Sequence, residues 1–220
     1  MERAQLAAMV DHTLLKAEAS SAEIDQLCAE ADQWSCATVC VNPVWVRHAA
    51  SRLADSEVGV CVVVGFPLGA NCSIIKAQEA ALAVSQGANE IDMVINLSRL
   101  FSGQYSAVRD DISRVREACP HASLKVTVES ALLHQRGLAR ACGLALEGGA
   151  DWVKTSTGVN AAGGASVEAV KLMKSSVGNN AQVKASGGIR NLATAAAMID
   201  AGATRLGLSA TETILGELEL

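Results

Sequence analysis

Short apolar runs alternate with longer amphipathic, alanine-rich stretches along the whole 220-residue chain. The runs are residues 8–13 (AMVDHT), 37–41 (ATVCV), 59–65 (GVCVVVG), 90–96 (EIDMVIN), 124–129 (LKVTVE), 151–156 (DWVKTS), 182–186 (QVKAS) and 204–209 (TRLGLS). Their length and β-branched content predict strands. Helical patterns fill residues 21–34, 73–87, 105–119, 134–149, 166–176 and 191–202. Several open on serine or asparagine and close on glycine, as helix caps do. Eight strands, most of them followed by a helix, with no proline- or glycine-rich linker, predict an α/β chain. The expected architecture is a single (β/α)8 TIM barrel over residues 1–220, with a short N-terminal helix. A doubly wound open sheet is the alternative. It would call for a glycine-rich dinucleotide fingerprint in its first βα turn, and none is present.

A weak repeat favours the barrel. GANEID (87–92), GADWVK (149–154) and GATRLG (202–207) share a helix-ending Gly-Ala and an apolar fifth residue. The sixth positions are Asp92, Lys154 and Gly207, on predicted strands 4, 6 and 8. Alternate barrel strands contribute side chains to a common layer. Asp92 and Lys154 are therefore expected to meet inside the barrel, with Gly207 leaving room beside them.

Composition narrows the function. Half of the residues are apolar but only 3% are aromatic, so the core must be aliphatic. A net charge of −5 argues against nucleic-acid or anionic-membrane partners, while leaving room for one basic pocket and a small phosphorylated ligand. The seven cysteines include no CxxC pair, which favours free thiols in a reducing cytoplasm. Neither a signal peptide nor an apolar run long enough to span a membrane is expected. The four histidines do not cluster in a metal-binding spacing, and His48, His121 and His134 are expected at the surface.

Three lysines interrupt strands: Lys125, Lys154 and Lys184. Both faces of each barrel strand are covered, so a charge there is costly unless paired or neutralised. A lysine in a dry pocket beside another cation loses proton affinity and becomes a nucleophilic amine. Its natural electrophile is a carbonyl, and the product is a Schiff base. Lys154 and Lys184 fit the parts of nucleophile and neighbouring cation, and spacing does not say which is which. Asp92 is the leading proton-transfer group and Asp11 the second. Glu129 is expected to pair with a lysine as electrostatic support. Cys40 has no evident cationic partner and is expected to be an incidental thiol. The glycine-rich turns at 156–158 (STG), 186–190 (SGGIR) and 207–209 (GLS) suit phosphate, which late barrel loops bind through backbone N–H groups.

The segments DHTLLK, CVNPVWV, VGFPLGAN, ANEIDMVIN, LKVTVE, GADWVKTSTG, VKLMK, VKASGGIR and AGATRLG run through most of the chain in order. On these motifs the sequence resembles the deoxyribose-phosphate aldolase family, class I aldolases that cleave 2-deoxy-D-ribose 5-phosphate to glyceraldehyde 3-phosphate and acetaldehyde. The resemblance implies that Lys154 forms the Schiff base and that Lys184 is its neighbouring cation. It also implies that Asp92 transfers protons with a bound water and that Asp11 lies close by. It places substrate and phosphate at Thr157, Gly158, Gly187, Gly188, Gly207 and Ser209, with no metal or organic cofactor. Two departures stand out. GLSAT has Ala210 where the family commonly has a second serine, and VESALL has Ser130-Ala131 in place of the usual residues after the glutamate. Both bear on phosphate affinity rather than on the lysines. The alternatives are a Schiff-base aldolase for a different or unphosphorylated aldehyde, and a non-catalytic barrel that binds a sugar phosphate. Oligomeric state is left open by the sequence, with a homodimer or homotetramer among the readings, and Trp34, Trp45 and Tyr105 fit an interface, the core or the surface equally.

Overall fold

The computed structural model describes residues 1–218; the last two residues of the expected 1–220 unit lie outside the described residues. Eight parallel strands close into a barrel in chain order, with β8 hydrogen-bonded back to β1. They are β1 (Val10–Leu14), β2 (Thr38–Val41), β3 (Gly59–Val64), β4 (Glu90–Val94), β5 (Ser123–Thr127), β6 (Trp152–Lys154), β7 (Gln182–Ser186) and β8 (Arg205–Leu208). The helices in chain order are α1 (Arg3–Ala7), α2 (Ser21–Trp34), α3 (Val46–Arg52), α4 (Ser73–Ser85), α5 (Leu97–Phe101), α6 (Tyr105–Ala118), α7 (Gln135–Glu147), α8 (Val167–Val177), α9 (Leu192–Asp200) and α10 (Thr211–Gly216). Each predicted strand and long helix is present, and α1 is the expected short N-terminal helix. The pattern did not reveal α3, α5 and α10, because helices of five to seven residues carry too few turns to display a period.

Capping follows the sequence. Ser20, Ser166 and Asn191 each accept a backbone N–H from the third residue of the helix they precede. At α2 the Glu23 carboxylate returns the bond to the Ser20 N–H, closing a capping box. Every cysteine is a free thiol. Among the described residues no helix is long and apolar enough to cross a membrane.

The main apolar core lies outside the barrel, between sheet and helices. The outward strand residues Val39, Val62, Ile91, Leu124, Val153 and Leu206 are fully buried against it. Inward positions are of another kind. The strand registers arrange them as three layers of four, as in a filled barrel. Thr38, Glu90, Trp152 and Arg205 form the bottom layer. Asp11, Cys61, Lys125 and Lys184 form the middle, and Cys40, Asp92, Lys154 and Gly207 the top. Six of these twelve carry an ordinarily charged carboxylate or lysine, and Arg205 makes a seventh. The polar groups hidden inside are thus held in place by an aliphatic layer wrapped around the sheet.

A fully buried ion pair sits outside the barrel. Lys76 on α4 has no solvent exposure, and its Nζ lies 2.7 Å from Asp111 Oδ2 on α6 and 2.9 Å from the Val94 carbonyl at the end of β4. Gly65 makes room for it: a Cβ there would fall 2.9 Å from Lys76 Cε, and its φ of +62° suits glycine. Removing one partner strands a buried charge, so Asp111→Ala is expected to destabilise the fold by about 3–5 kcal/mol in urea unfolding. The double replacement Lys76→Met with Asp111→Leu should cost less than the single change, because no charge is left behind.

Candidate active site

The successive inward positions, two apart, are Glu90 and Asp92 on β4, Trp152 and Lys154 on β6, and Arg205 and Gly207 on β8. That period carries both members of each pair into the barrel. Asp92 is the hub. Its Oδ2 accepts from Lys154 Nζ and from Lys184 Nζ, both at 2.7 Å, and its Oδ1 accepts from Lys125 Nζ at 2.9 Å. Lys184 also bonds Asp11 Oδ2. Below them Lys125 contacts Glu90, and Arg205 joins Asp11 to Glu90 while its guanidinium lies 5.0 Å above the Trp152 ring. Asp92, Asp11, Lys125 and Lys184 are wholly buried, whereas Lys154 retains 3% exposure.

The electrostatics follow from this crowding. Burial alone would raise the Asp92 pKa, but Lys125, Lys154 and Lys184 outweigh it and hold the carboxyl well below the ordinary range. Asp11 is likewise lowered, as Lys184, Lys125 and Arg205 overcome its burial. Burial disfavours the Lys184 ammonium, yet Asp11 and Asp92 raise its pKa above the usual lysine value. The same balance, led by Asp92, holds Lys125 charged. Near neutral pH Asp92 is therefore a carboxylate, able to accept a proton, and Lys184 an ammonium, able to donate one. Fully ionised, the network sets Lys125, Lys154, Lys184 and Arg205 against only Asp11, Glu90 and Asp92.

A cavity of about 380 Å³ opens over Lys154. Its walls include Thr157, Gly158, Gly187, Gly188, Gly207 and Ser209, so the predicted binding positions share one pocket, with Asp92, Asp11 and Lys184 beneath it. Gly187 has φ +84°, and a Cβ on it would stand 3.1 Å from the Cα atoms of both Gly158 and Gly164. Three glycine backbones pack there, and Gly164 was not anticipated. Gly207 does leave room, but for a different lysine: a Cβ would lie 3.2 Å from Lys184 Cε and 2.9 Å from Ser186 Cβ.

Two expectations need correction. Glu129 pairs with no lysine. Its backbone turns left-handed at φ +53°, and Oε1 accepts the Thr157 N–H at 2.5 Å, bracing the lip of the pocket. Cys40 does have cationic neighbours. It stands beside Cys61 in register, and the Cys61 hydrogen bond, which outweighs burial, acts with Lys184 and Lys154 to lower its pKa. Sequence reasoning also missed Glu90 and Arg205, each two residues before a recognised inward position, a spacing that was itself the available signal. Cys40, Cys61 and Asp92, and likewise Asp11, Cys61 and Glu90, bring possible metal-ligand atoms within 4.8 Å of one another. In both groups the carboxylates already face lysine or arginine, whose charge opposes a metal ion.

A closed barrel with a lysine–carboxylate network beneath an open pocket is the architecture of an aldolase. A family model described as DeoC/LacD family aldolase matches residues 5–214, and the chain belongs to that family. It is similar to the deoxyribose-phosphate aldolase of Carboxydothermus hydrogenoformans, with 51% identity over 215 residues that cover 96% of this chain and 94% of the relative. The enzyme of the same name from Staphylococcus carnosus is 52% identical over 210 residues, covering 96% and 95%. Among solved structures, QR15, an aldolase, superposes with a TM-score of 0.92 at 40% identity, covering 96% of this chain and 95% of that one. The tetrameric deoxyribose phosphate aldolase of Aeropyrum pernix gives 0.91 at 31%, covering 97% and 91%.

The depressed carboxyl groups imply a definite pH response. Their folded pKa values lie below those of the unfolded chain, so the stability they contribute is complete above about pH 4 and is lost as pH falls further. Urea midpoints from pH 7 to pH 3 should fall below about pH 4, and Asp92→Asn should make that fall shallower. An equally steep decline in the variant would remove Asp92 as a source of the linkage.

Proposed function

We propose that the chain reversibly cleaves 2-deoxy-D-ribose 5-phosphate to D-glyceraldehyde 3-phosphate and acetaldehyde through a Schiff base on Lys154. The observation that carries this reading is the position of Lys154. It alone of the network lysines lines the open pocket, and it shares one Asp92 oxygen with Lys184. The names of the relatives supply the substrate class.

In the forward direction the Lys154 amine attacks C1 of the open-chain sugar phosphate. The carbinolamine hydroxyl leaves as water with a proton from the Lys184 ammonium, giving an iminium. Asp92 accepts the C3 hydroxyl proton, either directly or through a water. The C2–C3 bond then breaks, its electron pair moves into the iminium, and glyceraldehyde 3-phosphate departs from the remaining enamine. Protonation at C2 and hydrolysis by water release acetaldehyde and restore the amine. Asp11 keeps Lys184 charged and in place. The work of each step falls to an amine, an ammonium or a carboxylate of this chain.

Thr157, Gly158, Gly187, Gly188, Gly207 and Ser209 form the substrate and phosphate wall, and the glycines with positive φ bring backbone N–H groups close to an anion. The reading extends to one catalytic barrel domain acting in the cytoplasm, in the breakdown of deoxyribose phosphates. It also extends to a homodimer or homotetramer, for which the tetrameric Aeropyrum pernix relative is the support.

Borohydride added with substrate should reduce the iminium and leave a covalent adduct on Lys154, located by peptide mass spectrometry. An active preparation with Lys154 unmodified would sink the mechanism. Asp92→Asn should lower kcat by about 10²–10⁴-fold, the usual contribution of one proton-transfer group. Turnover of deoxyribose 5-phosphate against free deoxyribose separates this activity from an aldolase of unphosphorylated aldehydes.

A further inference from the structure

A second buried polar chain runs outside the barrel interior. His12 on β1 is 5% exposed, and both ring nitrogens are engaged. Nδ1 is 2.8 Å from Thr211 Oγ1, and Nε2 is 2.8 Å from Glu30 Oε2 on α2. Glu30 is steadied in turn by the Gln26 side chain, which donates to its other oxygen at 2.7 Å. His12 therefore ties α2 to the start of α10 across the seam where β1 and β8 meet, with His12 in register with Leu208.

The start of α10 carries no side-chain cap. Ala210 occupies its N-cap and makes no side-chain bond, as Trp45, Cys72 and Gln104 make none at α3, α4 and α6, whereas Ser20, Ser166 and Asn191 each cap their own helices. A helix of six residues has little stability of its own. Its first residue, Thr211, is 1% exposed and held from the side by the imidazole. Two residues earlier, Ser209 faces the cavity over Lys154; on the other side of the seam, Thr13 to Lys16, which follow His12 directly, face it too. The His12–Thr211 bond thus joins two walls of one pocket without touching its contents.

We propose that His12 and Thr211 are positioning residues that set the Ser209 wall of the phosphate subsite, replacing the local restraint that a hydroxyl at position 210 would give. The inference rests on the reading of this pocket as the phosphate subsite of the aldolase. Phosphate recognition depends on donors fixed at hydrogen-bond distance, so a loosened wall weakens binding of the phosphorylated end. The reacting C1 is held by Lys154 on β6 and does not share this dependence.

The test compares steady-state kinetics on deoxyribose 5-phosphate and on free deoxyribose for wild type, Thr211→Val, Thr211→Ser and His12→Asn. Valine keeps the shape and removes the hydroxyl, and serine keeps the hydroxyl. Thr211→Val should raise KM for the phosphorylated substrate by about fivefold, the effect of one net hydrogen bond, with kcat and KM for deoxyribose unchanged. Thr211→Ser should restore the wild-type KM. If circular dichroism shows that Thr211→Val does not fold, His12→Asn carries the same expectation. An unchanged KM for the phosphorylated substrate, or an equal rise for both substrates, overturns the inference while the aldolase reading stands. A wild-type enzyme that does not prefer the phosphorylated sugar overturns both.

Discussion

The structure depends on one carboxylate. Asp92 accepts hydrogen bonds from three lysines at once, and with Asp11 and Glu90 it supplies the opposite charge that lets them stand in a dry barrel. The arrangement is reciprocal. The lysines hold Asp92 ionised, while Asp92 and Asp11 hold Lys184 as an ammonium. This fixes a proton acceptor and a proton donor beside the same amine, with Asp92 and Lys184 both in their ordinary charged forms. Carbonyl chemistry needs that pairing, because one step expels hydroxide as water and another withdraws a proton.

Such a network is possible because the apolar work is done elsewhere. Val39, Val62, Ile91, Leu124, Val153 and Leu206 point away from the barrel axis into a continuous aliphatic layer beneath the helices. That layer closes the sheet and leaves the inward positions free for charge. Arg205, held by Asp11 and Glu90 and lying over Trp152, forms the floor and directs the network towards the open end. The mouth is built with less force. It relies on glycine backbones at Gly158, Gly164 and Gly187, on Glu129 bracing Thr157, and on His12 reaching Thr211. Chemistry sits on strands and recognition on loops, a division that lets the pocket wall vary without disturbing the amine.

The alternation of apolar runs and amphipathic helices determined the barrel, since only a closed parallel sheet accommodates eight such units without exposing edges. The recurring Gly-Ala spacing determined that Asp92 and Lys154 share a layer, because side chains of a strand alternate with a period of two. Family motifs then separated Lys154 from Lys184, which spacing left equal. The same period was available at Glu90 and Arg205, but neither stood in a repeat that drew attention to it.

What only the tertiary structure decided concerns contacts across the chain. Asp92 meets Lys154 and Lys184 over separations of 62 and 92 residues, and His12 meets Thr211 over 199. Local pattern fixes which face of a strand a residue occupies. It does not fix which of several opposite charges that residue will reach, so the partner of Glu129 turned out to be a backbone N–H and Cys40 found two lysines nearby. Whether Lys184 is charged was likewise beyond the sequence. Burial and opposing carboxylates push its pKa in contrary directions, and only their distances settle which prevails.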